Sequence, residues 1–231
     1  MAFGPQLQLE ISSRDEGGPL VILLAPLTKE VMPGFVKNGG MQSYNVTRYL
    51  GSLSTAPVVE DELDWFEKTR KEKVSIVWGV YVFEGENRKL IGNTSLSSFE
   101  HGPLGTRATS GVLIFDKAYW NKGIASYIHK ARTWFAFTQL GVMRIESAVI
   151  CGNVASLRAL EKSGYVYVYT ERNTVFVDGV WLHQDTLECL NPLDAFWRNW
   201  WHGDAVPKKS REARKVTLDV LDWAKRNVIP L

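Results

Sequence analysis

The chain has 231 residues, of which 45% are hydrophobic and 23% charged, with a formal net charge of +2. That composition supports a sizeable core and excludes a wholly disordered chain. So small a charge gives no general affinity for nucleic acid, and only a local patch would carry such a role. Two cysteines, Cys151 and Cys189, make neither a disulfide framework nor a metal cluster, and they point to a reducing compartment.

The N-terminal segment MAFGPQLQLEISSRDEGG lacks the apolar region of a secretion signal, and LVILLA at 20–25 is too short to span a bilayer. The expected location is the cytoplasm, without membrane contact. PLVILLAPL (19–27) reads as a buried strand bounded by prolines. From Thr28 to Leu53 glycines and prolines break the pattern into short helical pieces and loops, a composition suited to shaping a pocket. VVEDELDWFEKTRKEK (58–73) is a helix with Leu63, Trp65 and Phe66 on its apolar side. Three strands follow at 75–85, 89–102 and 107–115, joined closely enough for an antiparallel meander.

At YWNKGIASYIHKARTWFAFTQLG the period becomes helical: Ile124, Ile128, Ala131 and Phe135 recur on one side, and Gly141 provides the stop. His129 reads as a helix-surface residue. RIESAVI (144–150) is the next strand, and CGNVASLRALEKSGY holds a short helix closed by Gly164. YVYVYT and VWLHQDTLECL are two β segments, joined across the turn VDGV at 177–180. The order predicts an α/β (α+β) domain with a mixed sheet. From Asn191 the composition shifts to a Trp-rich stretch with Trp197, Trp200 and Trp201, then an amphipathic helix with Ala213, Val216, Val220 and Ala224 on one side. Lys208, Lys209, Arg211, Arg214 and Lys215 read as its solvated face, so nucleic-acid binding is not expected.

A strand ending at Phe115 followed by a helix starting near Lys122 makes an anion site physically sensible. The first N–H groups of the helix lack internal partners and lie at its positive end. Gly123 would admit a phosphate close to the backbone, and Lys122 and Ser126 add donors. An ordinary helix start remains the alternative, because neither nucleotide-binding glycine signature is present.

WNKGIAS resembles the acyl-CoA pyrophosphate motif of the GNAT superfamily of N-acetyltransferases, Gln/Arg-x-x-Gly-x-Gly/Ala. Gly123 and Ala125 match, and Trp120 stands at the Gln/Arg position. NVASLRALEKSGY resembles the signature Asn-x-x-Ser-x-x-x-x-Glu-Lys-x-Gly-Phe/Tyr of the subgroup similar to ribosomal-protein N-terminal acetyltransferases. Asn153, Ser156, Glu161, Lys162, Gly164 and Tyr165 match it. The resemblance is strong from about 107 to 190.

It implies a GNAT-like acyl-CoA N-acyltransferase domain over 1–190, with a central mixed, mostly antiparallel sheet flanked by helices. Residues 191–231 form a helical appendage outside the pattern. The implied activity is direct transfer of acetyl from acetyl-CoA, leaving CoA, to a primary amine of a peptide or protein N-terminus or of a small molecule. The alternative is a catalytically idle acyl-CoA-binding or protein-interaction module. Val112, Leu113, Ile114 and Phe115 would pair with the pantetheine arm, and Lys122, Gly123, Ile124, Ala125 and Ser126 would hold the pyrophosphate. Asn153 would contact the cofactor arm or cap its helix, and Ser156 would donate toward the sulfur. Glu146, Glu171 and Glu100 are candidate bases. His183 and Asp185 share a strand face and are noted as a substrate-side pair. Cys151 lacks a histidine partner for a nucleophilic role, and no His/Cys/Asp cluster suggests a metal. Whether the tail caps its own domain or a second subunit of a homodimer stays open.

Overall fold

The computed structural model describes residues 2–12, 19–50, 55–102 and 105–231. Among the described residues nine strands form one sheet in the order β7-β8-β6-β5-β4-β3-β2-β1-β9. They are β1 (Leu7–Ser12), β2 (Pro19–Ala25), β3 (Ile76–Glu84), β4 (Asn87–Gly102), β5 (Gly105–Ile114), β6 (Val142–Ile150), β7 (Val166–Val177), β8 (Val180–Leu190) and β9 (Val228–Pro230). Every neighbouring pair is antiparallel except β5 and β6, which run parallel because a whole helix connects them. The predicted mixed, mostly antiparallel α/β architecture is therefore present.

That connecting helix, α3 (Ile124–Thr138), forms where the apolar stripe begins, and it buries Ile124, Ile128, Ala131 and Phe135. With α4 (Val154–Glu161) and α6 (Lys208–Asn227) it contributes to a main core that also holds Trp78, Ile91, Ile145 and Leu160. A second core joins Leu23, Tyr81, Leu90 and Phe115 to Phe66 of α2 (Val59–Lys71) and to Met32 and Phe35 in a 3-10 turn at Lys29–Phe35. Val46 in the four-residue α1 (Tyr44–Thr47) completes it. The region 28–50 is thus a chain of short helical pieces, as its glycines and prolines predict.

Strand β1 is an addition to the predicted elements. Its Leu7, Leu9 and Ile11 alternate with Gln8 and Glu10 and enter the main core. The C-terminal segment adds β9 beside β1, with Leu9 opposite Val228. In α6 the buried face is Ser210, Thr217, Val220, Leu221 and Ala224, while Val216 is exposed. The stripe is rotated from the predicted one because Gly164, in the left-handed region at φ 87°, lets Thr217 approach its backbone closely. Trp197 of α5 (Asp194–Trp201) is buried against Trp201, and Trp200 lies beside the guanidinium groups of Arg107 and Arg144. Among the described residues no helix is long and apolar enough to cross a membrane.

Candidate active site

The parallel pair is where the sheet opens. β5 pairs with β6 only from Thr106 to Thr109, and the last rung joins Thr109 to Glu146. Beyond it β5 stays with β4 up to Ile114, and β6 stays with β8 up to Ile150. The two strands part there as a wedge whose vertex is Thr109 and Glu146.

Backbone alternation assigns the walls. Phe115 N–H donates to Ile91 O at 3.0 Å, so Gly111, Leu113 and Phe115 turn their peptide groups toward β4. Ser110, Val112 and Ile114 then turn theirs into the wedge. Two contacts agree: Ser147 Oγ donates to Ser110 O at 3.2 Å, and Trp120 Nε1 donates to Ile114 O at 2.8 Å. Val112 N–H and C=O and Ile114 N–H keep no ladder partner across the wedge. On the other wall Cys151 N–H donates to His183 O at 2.9 Å, which turns Ala148 and Ile150 inward. The four predicted positions therefore divide: Val112 and Ile114 offer backbone to the wedge, whereas Leu113 and Phe115 bond toward β4 and pack with the second core.

At the open end of β5 the chain is clamped before α3 starts. Asp116 Oδ1 accepts from Ala118 N–H at 3.0 Å, and Tyr119 Oη donates to Glu84 Oε1 at 2.7 Å. Lys89 bridges Glu84 at 3.1 Å and Asp116 at 3.2 Å. Burial first, and then the Glu84 bond, push the Tyr119 hydroxyl up to about 12, so it stays protonated as a donor. Trp120 ties the same loop back to Ile114, which gives the departure from the family motif a backbone-binding role. Asn121 (φ 62°) and Gly123 (φ 81°) are both left-handed, an alternation that makes successive N–H groups converge. Ile124 and Ala125 open α3, where N–H groups have no intrahelical acceptor. Ser126 differs: its N–H donates to Gly123 O at 3.0 Å, which leaves only the hydroxyl to offer. Lys122 lies over the Tyr119 ring at 5.9 Å.

The second motif lies at the end of the other wall. Asn153 caps α4, its Oδ1 accepting from Ser156 N–H at 3.3 Å, and Asn153 N–H donates to Ile150 O at 3.0 Å. Ser156 sits in the first turn of α4, partly buried. Glu146, at the vertex, is paired with Arg144 at 2.8 Å, and Arg144 also reaches Glu188 at 3.0 Å. Ile145 belongs to the main core, so Glu146 projects to the opposite side of the sheet from α3.

Glu171 is not brought to this site: it lies on β7, with β8 between it and β6, and it is exposed. Glu100 is exposed at the far, closed end of β4. His183 Nδ1 accepts from Asn173 N–H at 3.1 Å, and Asp185 Oδ1 accepts from Thr170 Oγ1 at 2.6 Å, so both are used inside the β7–β8 hairpin. Burial and the neighbouring Asp185 raise the Cys151 thiol, which disfavours a thiolate there.

On the face away from α3, residues 35–49 form a strap across the wedge. At one end Phe35 packs at a tilt against Phe115 with ring centroids 4.9 Å apart. At the other, Tyr49 Oη donates to Gly152 O at 3.4 Å, Arg48 pairs with Asp178 at 3.0 Å, and Tyr44 Oη donates to Asp178. Tyr49 also packs beside Ile150, Val175 and Val177. The wedge thus lies between the side of the sheet that carries α3 and α4 and the side that carries the strap.

His129 is a correction: it is 1% exposed, inside the main core. Its Nδ1 accepts from Arg132 Nη2 at 2.6 Å, because a guanidinium only donates. Burial first, and then Arg132, hold its pKa well below the ordinary value, so the ring is neutral. Arg132 itself is fully buried. Sequence reasoning passed over it, although Ile128, Arg132 and Phe135 follow helical spacing and place a cation in an apolar stripe.

The sequence profile of the acetyltransferase (GNAT) domain family matches residues 22–166. A probable N-acetyltransferase of Bacillus subtilis, YjcK, is 36% identical over 113 residues, 49% of this chain and 61% of that protein. The match therefore spans about three fifths of that relative's length. Among solved structures, RimJ of Mycobacterium smegmatis in complex with CoA-disulfide superposes with a TM-score of 0.67 at 15% identity, over 87% of this chain and 96% of that one. Spermidine N-acetyltransferase of Vibrio cholerae in complex with CoA and spermine gives 0.63 at 18% identity, over 74% and 95%. Ribosomal-protein-S5-alanine acetyltransferase of Vibrio fischeri gives 0.62 at 16%, over 80% and 96%.

Proposed function

The chain belongs to the GNAT acetyltransferase family, and on that premise we propose that it transfers acetyl from acetyl-CoA directly to a primary amine, releasing CoA. One observation carries the reading. The unpaired backbone groups of Val112 and Ile114 lead along the wedge to the left-handed turn at Asn121–Gly123 and the N–H groups of Ile124 and Ala125. That track offers amide partners along its length and an anion cradle at its end, which fits an arm of amides ending in a pyrophosphate.

Acetyl-CoA supplies the activated acyl group as a thioester. Val112 N–H, pointing into the wedge near the vertex, is the donor for the oxygen that gains charge when the amine attacks. Glu146, on the strap side of the vertex, takes the proton that the amine loses as its C–N bond forms. Ser156, at the start of α4, donates toward the sulfur as the C–S bond breaks, so the departing thiolate is protonated. Asn153 fixes the first turn of α4 and with it the Ser156 hydroxyl. The strap meets the acceptor, and Arg48, Tyr44 and Tyr49 are the side chains that hold it over the opening. The relatives named above act on a polyamine and on a ribosomal protein; for this chain the acceptor class is accordingly a small polar amine or a peptide N-terminus.

Calorimetric titration with acetyl-CoA, followed by thiol release across a panel of polyamines and N-terminal peptides, tests the reading. Binding with turnover on at least one amine is expected. Absence of CoA binding would defeat the proposal, and binding without turnover on any amine would favour the idle acyl-CoA-binding module.

A further inference from the structure

Arg132 stands out among groups the mechanism leaves unused. It is a fully buried cation with no carboxylate partner among the described residues, an arrangement that is costly in general because the charge is taken out of water. What it holds is specific. Nη1 donates to Gly111 O at 2.6 Å and to Thr94 Oγ1 at 2.7 Å, while Thr94 Oγ1 itself donates to Gly111 O at 2.8 Å. Nη2 is fixed by His129 Nδ1 at 2.6 Å. Two side-chain donors, one charged, therefore converge on a single carbonyl, two residues past the vertex of the wedge.

That carbonyl shares a planar trans peptide with Val112 N–H, so the two dipoles point in opposite directions. Fixing Gly111 O on the β4 side aims Val112 N–H into the wedge. A charge-assisted bond to the C=O end of an amide also polarises its N–H end, as in any hydrogen-bonded chain. We propose that Arg132 is a positioning residue for acetyl transfer, which orients and polarises the Gly111–Val112 peptide so that Val112 N–H becomes a strong donor to the thioester oxygen. The inference rests on the acetyltransferase reading and adds a residue to it. Arg132 touches no substrate; it acts through one peptide plane.

The closing experiment uses two unreactive CoA analogues, a ketone (acetonyl-CoA) and its carbonyl-free S-propyl counterpart, with the full chain and Arg132→Met, Arg132→Lys and Thr94→Val. Wild type is expected to bind the ketone more tightly than the propyl analogue. Arg132→Met fills the same volume with an apolar chain, and it should lose that preference while binding the propyl analogue as wild type does. With a competent amine, its kcat should fall about 10–100-fold, toward the cost of deleting an oxyanion donor, with KM for acetyl-CoA within about 3-fold. Arg132→Lys should recover part of the loss, and Thr94→Val should show a smaller loss of the same kind. If Arg132→Met does not fold, Thr94→Val carries the test alone. A folded variant with wild-type preference and kcat overturns the inference, as does a parallel loss of both analogues, which marks a purely structural role. Wild type that turns over but does not distinguish the analogues also overturns it, and leaves the proposed function standing. Wild type that binds neither overturns both.

Discussion

Ala125→Asp separates an anion cradle from an ordinary helix start, because the two readings predict different pairs of signs. Ala125 is partly exposed in the first turn of α3, where its N–H has no intrahelical acceptor. A carboxylate there interacts favourably with the helix dipole, by about 0.3–1 kcal/mol. The poorer helix propensity of Asp offsets up to about 0.7 kcal/mol of that. Stability of the free protein should therefore stay level or rise slightly. Against a bound pyrophosphate the same charge is repulsive: at roughly 5 Å and an effective dielectric between 20 and 80, each pair of charges costs about 1–3 kcal/mol. CoA affinity should fall about 10–100-fold, since each 1.4 kcal/mol is roughly tenfold. Calorimetry with CoA and thermal unfolding of the free protein read the two effects separately. Unchanged CoA affinity with unchanged or raised Tm would refute the placement of the pyrophosphate at this helix end. A fall in both would instead report damage to the loop.

Three further outcomes follow from the same structure. Asp178→Ala releases Arg48 and Tyr44 from the β7–β8 turn; exposed pairs of this kind contribute little to stability, so Tm should hardly move. KM for the amine should rise several-fold with acetyl-CoA affinity unchanged, and an unchanged KM would remove the strap from acceptor binding. His129 is buried neutral with its pKa far below the ordinary value, so the unfolded chain binds a proton that the folded chain refuses. Stability from this residue is complete at neutral pH and is lost as pH falls below about 6.5, at up to about 1.4 kcal/mol per pH unit. His129→Gln keeps an acceptor for Arg132 and should flatten that slope in urea unfolding between about pH 6.5 and 5; equal slopes would contradict it. Gly164→Ala places a Cβ 2.0 Å from Thr217 Oγ1 and 3.2 Å from Thr217 N, at a left-handed φ of 87°. Strain of about 1–2 kcal/mol plus overpacking of about 1–3 kcal/mol should lower Tm by roughly 5–15 °C. Adding Thr217→Ala should return only part of the loss; an unchanged Tm in the single variant would mean that α6 does not pack there.

What was legible in the sequence is what local pattern controls. The period change at Ile124 located α3, the glycine before it marked the left-handed residue at which that helix starts, and the capping alternative for Asn153 is the one seen at α4. The alternation of Leu7, Leu9 and Ile11 was equally plain, yet a strand there gains its meaning only from its neighbours β2 and β9, which close on it from distant parts of the chain. Candidate bases fared unevenly for the same reason. Glu146 and Glu171 look alike along the chain, and only strand order separates a vertex position from one beyond β8. His129 was misplaced because its side of the helix is covered from elsewhere in the chain, by Tyr165 with ring centroids 6.1 Å away.

The wedge explains why so much buried polarity gathers beside it. A strand inside a sheet is held by ladders on both sides, but β5 beyond Thr109 has only β4. The residues proposed to face the cofactor are those with a missing ladder on one side, so side chains add orientation to what β4 alone provides. Ser147 supplies it at Ser110 O, Tyr165 Oη lies 3.2 Å from Ser110 Oγ, and Thr94 and Arg132 supply it at Gly111 O. All four act on the first two residues past the vertex, where a small rotation of one peptide would swing Val112 N–H away from the wedge. A hydrophobic residue in place of Arg132 would pack there at lower desolvation cost, but it would leave Gly111 O with only its β4 neighbours and the Thr94 hydroxyl, and no charged donor. On the proposed role of Arg132, the desolvation cost of burying the cation and the fixing of the Gly111–Val112 peptide are two consequences of one residue, and the difference between Arg132→Met in Tm and in kcat measures them apart.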